Sequence, residues 1–407
     1  MTIKINRRKL LKVSAASMFT TALLPNIVLG ADPINVGSLT PNTGGGGPFG
    51  PKITAAHRLI TDMVNKAGGV NGREVRLIQE NSETNPETAI RAARKLVDVN
   101  KVSAILGTWN SSVTLGIMPL CQEANVIQMC TSSSSSIPGK DKKNLVYNLM
   151  VLSPAWGAPF GRFAKEQGAK NFAVMALNTD FTKSTVIAFE EAAIAAGMER
   201  IQDAFYYNGG QASYRAEVTK LIAKNPDLVY IPSFVTDFTA VYKEIYRQGY
   251  EGKVLAISIA TGSKFIKAIG SAADGVMHGL PIPNLGSKAY KHYLSLFGLE
   301  DTGGVQHPFG TAGYDQITTL LLAMAKAKSS DGLAVAKAIH QVSNGSGKSV
   351  YKIDDGLAAL AAGEEINFDG ASSNVDFKSP SGVLTSRDFG FWKIENGKNK
   401  LLSSVKS

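Results

Sequence analysis

Cysteine and histidine are scarce in this chain of 407 residues, and what little there is lies dispersed. Two cysteines, Cys121 and Cys130, are too few for a disulfide scaffold, a cysteine-rich zinc site or an iron–sulfur cluster. The five histidines, His57, His278, His292, His307 and His340, are far apart and form no HExxH or comparable metal spacing. No Gly-x-Ser-x-Gly elbow is present, and the run Gly44 to Gly47 carries no Gly-Lys-Ser/Thr ending. No run reaches the roughly 18–20 apolar residues that a membrane span needs. Low aromatic content and a hydrophobic share of 44% describe an ordinary globular chain, long enough for two domains with separate cores.

The formal charge of +10 suggests an anionic partner until its distribution is considered. Lys4, Arg7, Arg8, Lys9 and Lys12 supply half of it within residues 1–30, which hold no acid. The remainder of the chain has an ordinary surface balance, and its clearest basic cluster, Lys140-Asp141-Lys142-Lys143, reads as a solvated loop, not a nucleic-acid contact. The order in residues 1–30 is basic, mildly apolar, then small residues before Ala31. With adjacent arginines it is similar to a twin-arginine export signal, cleaved near Gly30/Ala31, which places the mature protein in a periplasm.

From residue 34 onward, short β-branched runs alternate with amphipathic stretches. Strands are expected at 34–39, 74–79, 102–106 and 126–129, with helices at 53–67, 85–97 and 112–124 between them. A bridge at 145–150 leads to a second series, with strands at 172–177, 201–207, 228–232 and 254–259 and intervening helices. A second bridge is expected at 279–283, then helices at 288–297, 314–328 and 332–342, a strand at 389–394, and a third crossing within 379–386. This alternation predicts an α/β fold of two doubly wound parallel-sheet lobes. In such sheets ligands bind beyond the strand carboxyl ends. The loops there include the glycine-rich segment ending at Phe49, then Trp109-Asn110-Ser111, and Thr131 followed by Ser132, Ser133 and Ser134. In the second series they carry Asp180, Phe181, Phe234 and Asp237. Asp180 and Asp237 stand where helix caps belong, and Phe181 and Phe234 fit either a core or a pocket wall. The serines fit capping or, with Ser111, a neutral cradle for an anion. Cys121 and Cys130 leave a disulfide and two buried thiols both open.

Ile34-Asn35-Val36-Gly37-Ser38-Leu39-Thr40, Gly68-Gly69-Val70-Asn71-Gly72-Arg73, Ile105-Leu106-Gly107, Gly313-Tyr314-Asp315 and Ile366 to Ser372 resemble the branched-chain amino acid (Leu/Ile/Val)-binding proteins of ABC importers. That resemblance implies the type I periplasmic binding fold, with three hinge crossings closing two lobes on a small molecule. It implies an N-terminal lobe of 31–148 plus 283–378, a C-terminal lobe of 149–282 plus 379–407, a monomer, and delivery to membrane permease subunits. It implies that Ser111, Ser132, Ser133 and Ser134 hold a ligand carboxylate and that Phe49, Trp109, Phe181 and Phe234 line the cleft. The Leu/Ile/Val binders use an acidic side chain after a second-lobe strand to hold the ligand ammonium; the matching stretch here, Ala256-Ile257-Ser258-Ile259-Ala260-Thr261, contains none. Unless Asp180, Asp237 or Asp315 substitutes, an amine-bearing ligand is disfavoured, because a buried unpaired ammonium costs several kcal/mol. The expected site is therefore Phe49, Trp109, Asn110, Ser111, Ser132, Ser133, Ser134, Asp180, Phe181, Phe234 and Ser258, with no cofactor and no metal. A periplasmic ligand sensor docking on a receptor, or an exported enzyme, are the competing readings.

Overall fold

The computed structural model describes residues 32–301 and 308–405. The expected export segment, its expected cleavage point and His307 lie outside these residues. The first sheet begins with β1 (Ile34–Thr40), β2 (Val75–Asn81), β3 (Ala104–Thr108), β4 (Ile127–Cys130) and β5 (Val146–Asn148). The second contains β6 (Asn171–Leu177), β7 (Glu199–Arg200), β8 (Phe205–Tyr207), β9 (Leu228–Ile231), β10 (Lys253–Ile257) and β11 (Met277–Pro281). A small parallel pair comes next, β12 (Lys348–Val350) with β13 (Ile366–Phe368). The chain then returns to the first sheet as β14 (Phe377–Lys378) and β15 (Gly382–Leu384), and ends in the second as β16 (Phe389–Glu395) and β17 (Lys398–Val405).

Spatial order in the first sheet is β14-β15-β5-β4-β3-β1-β2, and in the second β17-β16-β11-β10-β9-β6-β7. The two doubly wound lobes and three crossings expected from the sequence are therefore present, though not in every detail. β16 runs antiparallel to β11, and β17 antiparallel to β16. β17 was not expected. Its signal was the Asn396-Gly397 pair, whose positive φ angles, 52° and 70°, suit a two-residue hairpin turn. β15 pairs with β5, so the third crossing falls between Leu384 and Phe389, later than the 378/379 boundary and at the far end of the span expected to hold it. The strand expected at 201–207 is only Phe205–Tyr207, and the helix expected from 314 begins at Pro308.

Each sheet changes direction once. In the first, β2 lies to one side of β1 and β3 to the other; in the second, β7 and β8 lie to one side of β6 and β9 to the other. At such switch points the outgoing loops diverge and leave a crevice at the strand carboxyl ends. The loops after β1 and β3 flank one crevice, those after β6 and β9 the other.

Buried polar residues fix these elements. His57, on helix Gly50–Lys66, is fully buried, with Nδ1 2.9 Å from Ser38 Oγ and Nε2 3.0 Å from Gln316 Oε1. Burial lowers its pKa to about 4. Arg387, in the third crossing, is likewise buried; its guanidinium donates to Leu149 O in the first crossing and to Pro308 O, each at 2.8 Å. Cys121 and Cys130 are unpaired and buried, and the loss of solvent pushes both thiols up to about 12. This decides the open question in favour of two thiols.

Two measurements test these roles. Below an ordinary histidine pKa of about 6.5 the unfolded chain takes up a proton that native His57 refuses until about pH 4, so its contribution is complete at neutral pH and is lost as pH falls through that window. Urea melts of wild type and His57→Gln at pH 7 and pH 4.5 should show a steeper acid loss in wild type; equal slopes would contradict the assignment. Replacing Arg387 by Ala strands two buried carbonyls, and a loss of about 3–5 kcal/mol is expected in the same melts.

Candidate functional site

The crevices of the two lobes meet in one narrow cavity, lined by Trp109, Asn110, Ser111, Thr131, Ser133, Trp156, Phe181, Phe234, Ile259 and Phe309. Local backbone chemistry explains how the first-lobe wall is made. The β3–β4 register shifts between Leu106 and Thr108, and Gly107 sits at the shift with φ +91°, where an added Cβ would strike Thr40 Cγ2 at 2.5 Å. This bulge ends the strand at the site. Asn110 then caps helix Ser111–Glu123, its Oδ1 accepting from the N–H groups of Ser112 (2.9 Å) and Val113 (3.2 Å). The positive end of the helix dipole consequently faces the cavity.

Ser111 Oγ accepts from the backbone N–H groups of Ser133 and Ser134, both at 3.2 Å. Its lone pairs so engaged, what the hydroxyl has left to offer is its O–H as a donor. Thr131 is buried, and its hydroxyl has no partner among the described residues.

The opposite wall is aromatic. Phe181 stands in the first turn of helix Asp180–Ala195, and Phe234 is the N-cap residue of helix Val235–Arg247. Trp156, on helix Ser153–Glu166, meets Phe181 edge-on with centroids 5.2 Å apart. The two lobes touch at this level. Trp109 and Phe234 have centroids 5.4 Å apart, and Ser112 Oγ donates to Asp180 Oδ2 at 2.8 Å.

Six of the expected residues thus line one cavity: Trp109, Asn110, Ser111, Ser133, Phe181 and Phe234. Five do not. Phe49 stands behind the wall, stacked on Trp109 at 5.5 Å and against Phe309 at 4.9 Å. Ser132 turns inward, its Oγ 2.5 Å from Thr114 Oγ1, and Ser134 Oγ accepts from Ser136 N–H at the next turn. Asp180 is held by Ser112 and does not cap its helix; Thr179 does, in a capping box with Thr182. Ser258 binds His278 Nδ1 at 2.7 Å in a neighbouring groove, and Ile259 takes the place on the wall.

Neither of the other proposed acidic substitutes reaches the cavity. Asp237 accepts from Tyr214 OH (2.6 Å) and Gly210 N–H (2.8 Å), while Asp315 accepts from Ala371 and Ser372 N–H (both 2.7 Å) in the first-lobe core. Among the described residues no ionisable side chain lines the cavity. The adjoining groove carries Lys52, Lys264 and Lys398 and no acid. No cluster of three or more His, Cys, Asp or Glu placed to hold a metal occurs among the described residues, and no helix there is long and apolar enough to cross a membrane.

Sequence reasoning missed Thr131, Trp156, Ile259 and Phe309. Thr131 directly follows β4 and was legible as a strand-end residue. Phe309 was hidden because the helix holding it starts before its apolar periodicity becomes clear.

The family model for periplasmic binding proteins matches residues 33–388. The chain belongs to this family. A chemotactic signal transduction substrate-binding protein of Halobacterium salinarum is 25% identical over 362 residues, covering 84% of this chain and 83% of the relative. A leucine-, isoleucine-, valine-, threonine- and alanine-binding protein of Pseudomonas aeruginosa is 21% identical over 322 residues, covering 76% of this chain and 83% of the relative. Among solved structures, a leucine-binding protein of Thermotoga maritima superposes with a TM-score of 0.76 at 21% identity, over 91% of this chain and 98% of that one. A solute-binding protein of R. palustris in complex with 4-hydroxybenzoate gives 0.73 at 17%, over 92% and 97%. The fold is accordingly that of type I periplasmic binding proteins.

One mutational contrast separates wall from scaffold. Ser111→Ala removes the acceptor of two backbone N–H groups and should lower stability by about 1–3 kcal/mol in a urea melt. Ser134→Ala, away from the wall, should change stability by less than about 1 kcal/mol; the reverse order would contradict these roles.

Proposed function

We propose that this periplasmic binding protein is the solute-binding component of an ABC importer, and that its ligand is a small carboxylate with an apolar or aromatic body and no ammonium group. The observation that carries the reading is the charge-free cavity wall. Ser111 O–H, Ser133 and the amino end of helix Ser111–Glu123 supply donors for a carboxylate, each good hydrogen bond to a charged group contributing about 1.5–3 kcal/mol. Trp109, Phe181 and Phe234 clamp the body of the ligand. The lysines of the adjoining groove raise the local concentration of anions without taking part in the final contact.

Two relatives of this fold illustrate the choice of ligand. A Streptococcus pneumoniae neighbour was solved with isoleucine, and the R. palustris neighbour with 4-hydroxybenzoate. The missing acid favours the second kind. In this reading the protein is exported through the leader of residues 1–30, acts as a monomer in the periplasm, and closes by swinging the two lobes about the three crossings. The Halobacterium relative supports a second reading, in which the closed form docks on a signalling receptor.

Calorimetric titration with leucine, its deaminated analogue 4-methyl-2-oxopentanoate, and benzoate tests the ligand class. An oxo acid or benzoate should bind at least tenfold tighter than leucine, and tighter binding of leucine would refute the proposal. Co-purification with permease subunits, as against a chemoreceptor, separates the two readings of partner.

A further inference from the structure

The wall of the cavity contains a polar group to which neither the packing nor the carboxylate pole gives a role. Trp156 is 2% exposed, and its Nε1 has no hydrogen-bond partner among the described residues. An indole N–H donates only, and a buried donor left unpaired is costly, so native structures nearly always supply an acceptor. Nothing in the packing of this side chain does so. Its ring packs nearly at right angles to Phe181 (centroids 5.2 Å apart) and Phe389 (5.7 Å), neither of which carries a side-chain polar atom.

Its position adds to the argument. Trp156 lies on helix Ser153–Glu166, beyond the first crossing, and packs on second-lobe residues. The carboxylate donors, Ser111 and Ser133, belong to the first lobe. Thr131, the other unpartnered polar group of the cavity, also follows a first-lobe strand. One unsatisfied donor is therefore presented by the lobe opposite the carboxylate pole.

We infer that Trp156 is a specificity-determining residue whose Nε1–H donates to a second oxygen of the ligand, carried at the end remote from its carboxylate. The inference rests on the carboxylate reading of the proposed function and narrows it to a ligand with two polar poles, held by one pole in each lobe. Such a ligand satisfies a donor of the second lobe only when the cleft is closed, so the contact couples recognition to closure. A ligand with a bare hydrocarbon end leaves the N–H unpaired.

Matched probes decide the point. 4-Hydroxybenzoate and 4-methylbenzoate have nearly the same size and differ in the oxygen. Wild type should bind the first about tenfold tighter, and Trp156→Phe, which keeps a ring and deletes the donor, should bring the two affinities within about twofold of each other. In ¹⁵N-labelled wild type the Trp156 indole signal, one of three, should shift downfield with 4-hydroxybenzoate and not with 4-methylbenzoate. That signal decides the matter if the variant fails to fold. Carboxylate binding in which wild type does not discriminate, discrimination retained in Trp156→Phe, or an unshifted indole signal overturns this inference and leaves the carboxylate reading standing. Failure of benzoate, both substituted benzoates and the oxo acid to bind overturns both.

Discussion

The guanidinium of Arg387 ties the first and third passages between the lobes to the start of the helix at Pro308. It stands in the third passage and donates to the carbonyl of Leu149 in the first and to that of Pro308 at the head of the helix that returns the chain to the first sheet. Burial lowers its pKa to about 10, and the charge persists because these carbonyls and the nearby Asp315 stabilise it. A buried cation of this kind has one satisfactory arrangement. The passages keep their register, and the two crevices of the sheets are held facing each other across a common cleft.

That facing arrangement gives the cavity its chemistry. The first lobe presents hydroxyls and a helix amino end, the second presents rings, and neither contributes a charge. Acidic groups do occur nearby, but each is already engaged: Asp180 by Ser112, Asp237 by Tyr214, Asp315 by two backbone N–H groups. A neutral, ring-walled slot with donors at one end discriminates by what it fails to satisfy as much as by what it binds. An ammonium entering it would lose its water and gain no carboxylate partner.

Much of the scaffold was legible from periodicity. β1, β3, β4, β6, β9 and β10 were visible as β-branched runs, and the helices between them as amphipathic stretches, because parallel crossovers repeat a strong and regular pattern. Short pairings were less visible. β15 is three residues long and joins the first sheet through β5, a partner far away in sequence, so no local pattern announces it. The hairpin at Asn396-Gly397 is a different case: its turn chemistry was in plain sight.

The sequence alone determined the residue types available at the strand ends, serine and threonine on one series and phenylalanine on the other, and the missing acid after β10. Tertiary structure decided which of them face the cleft. Ser111 and Ser133 do, while Ser132 and Ser134, their equals in composition, spend their hydroxyls on Thr114 and on the next turn of backbone. The reason is geometric: a loop residue's side-chain direction follows the local backbone and the nearest unsatisfied group, and both are set by strands distant in sequence. The same holds for Trp156, which became part of the wall only because the first crossing carries its helix to the opposite side of the cleft.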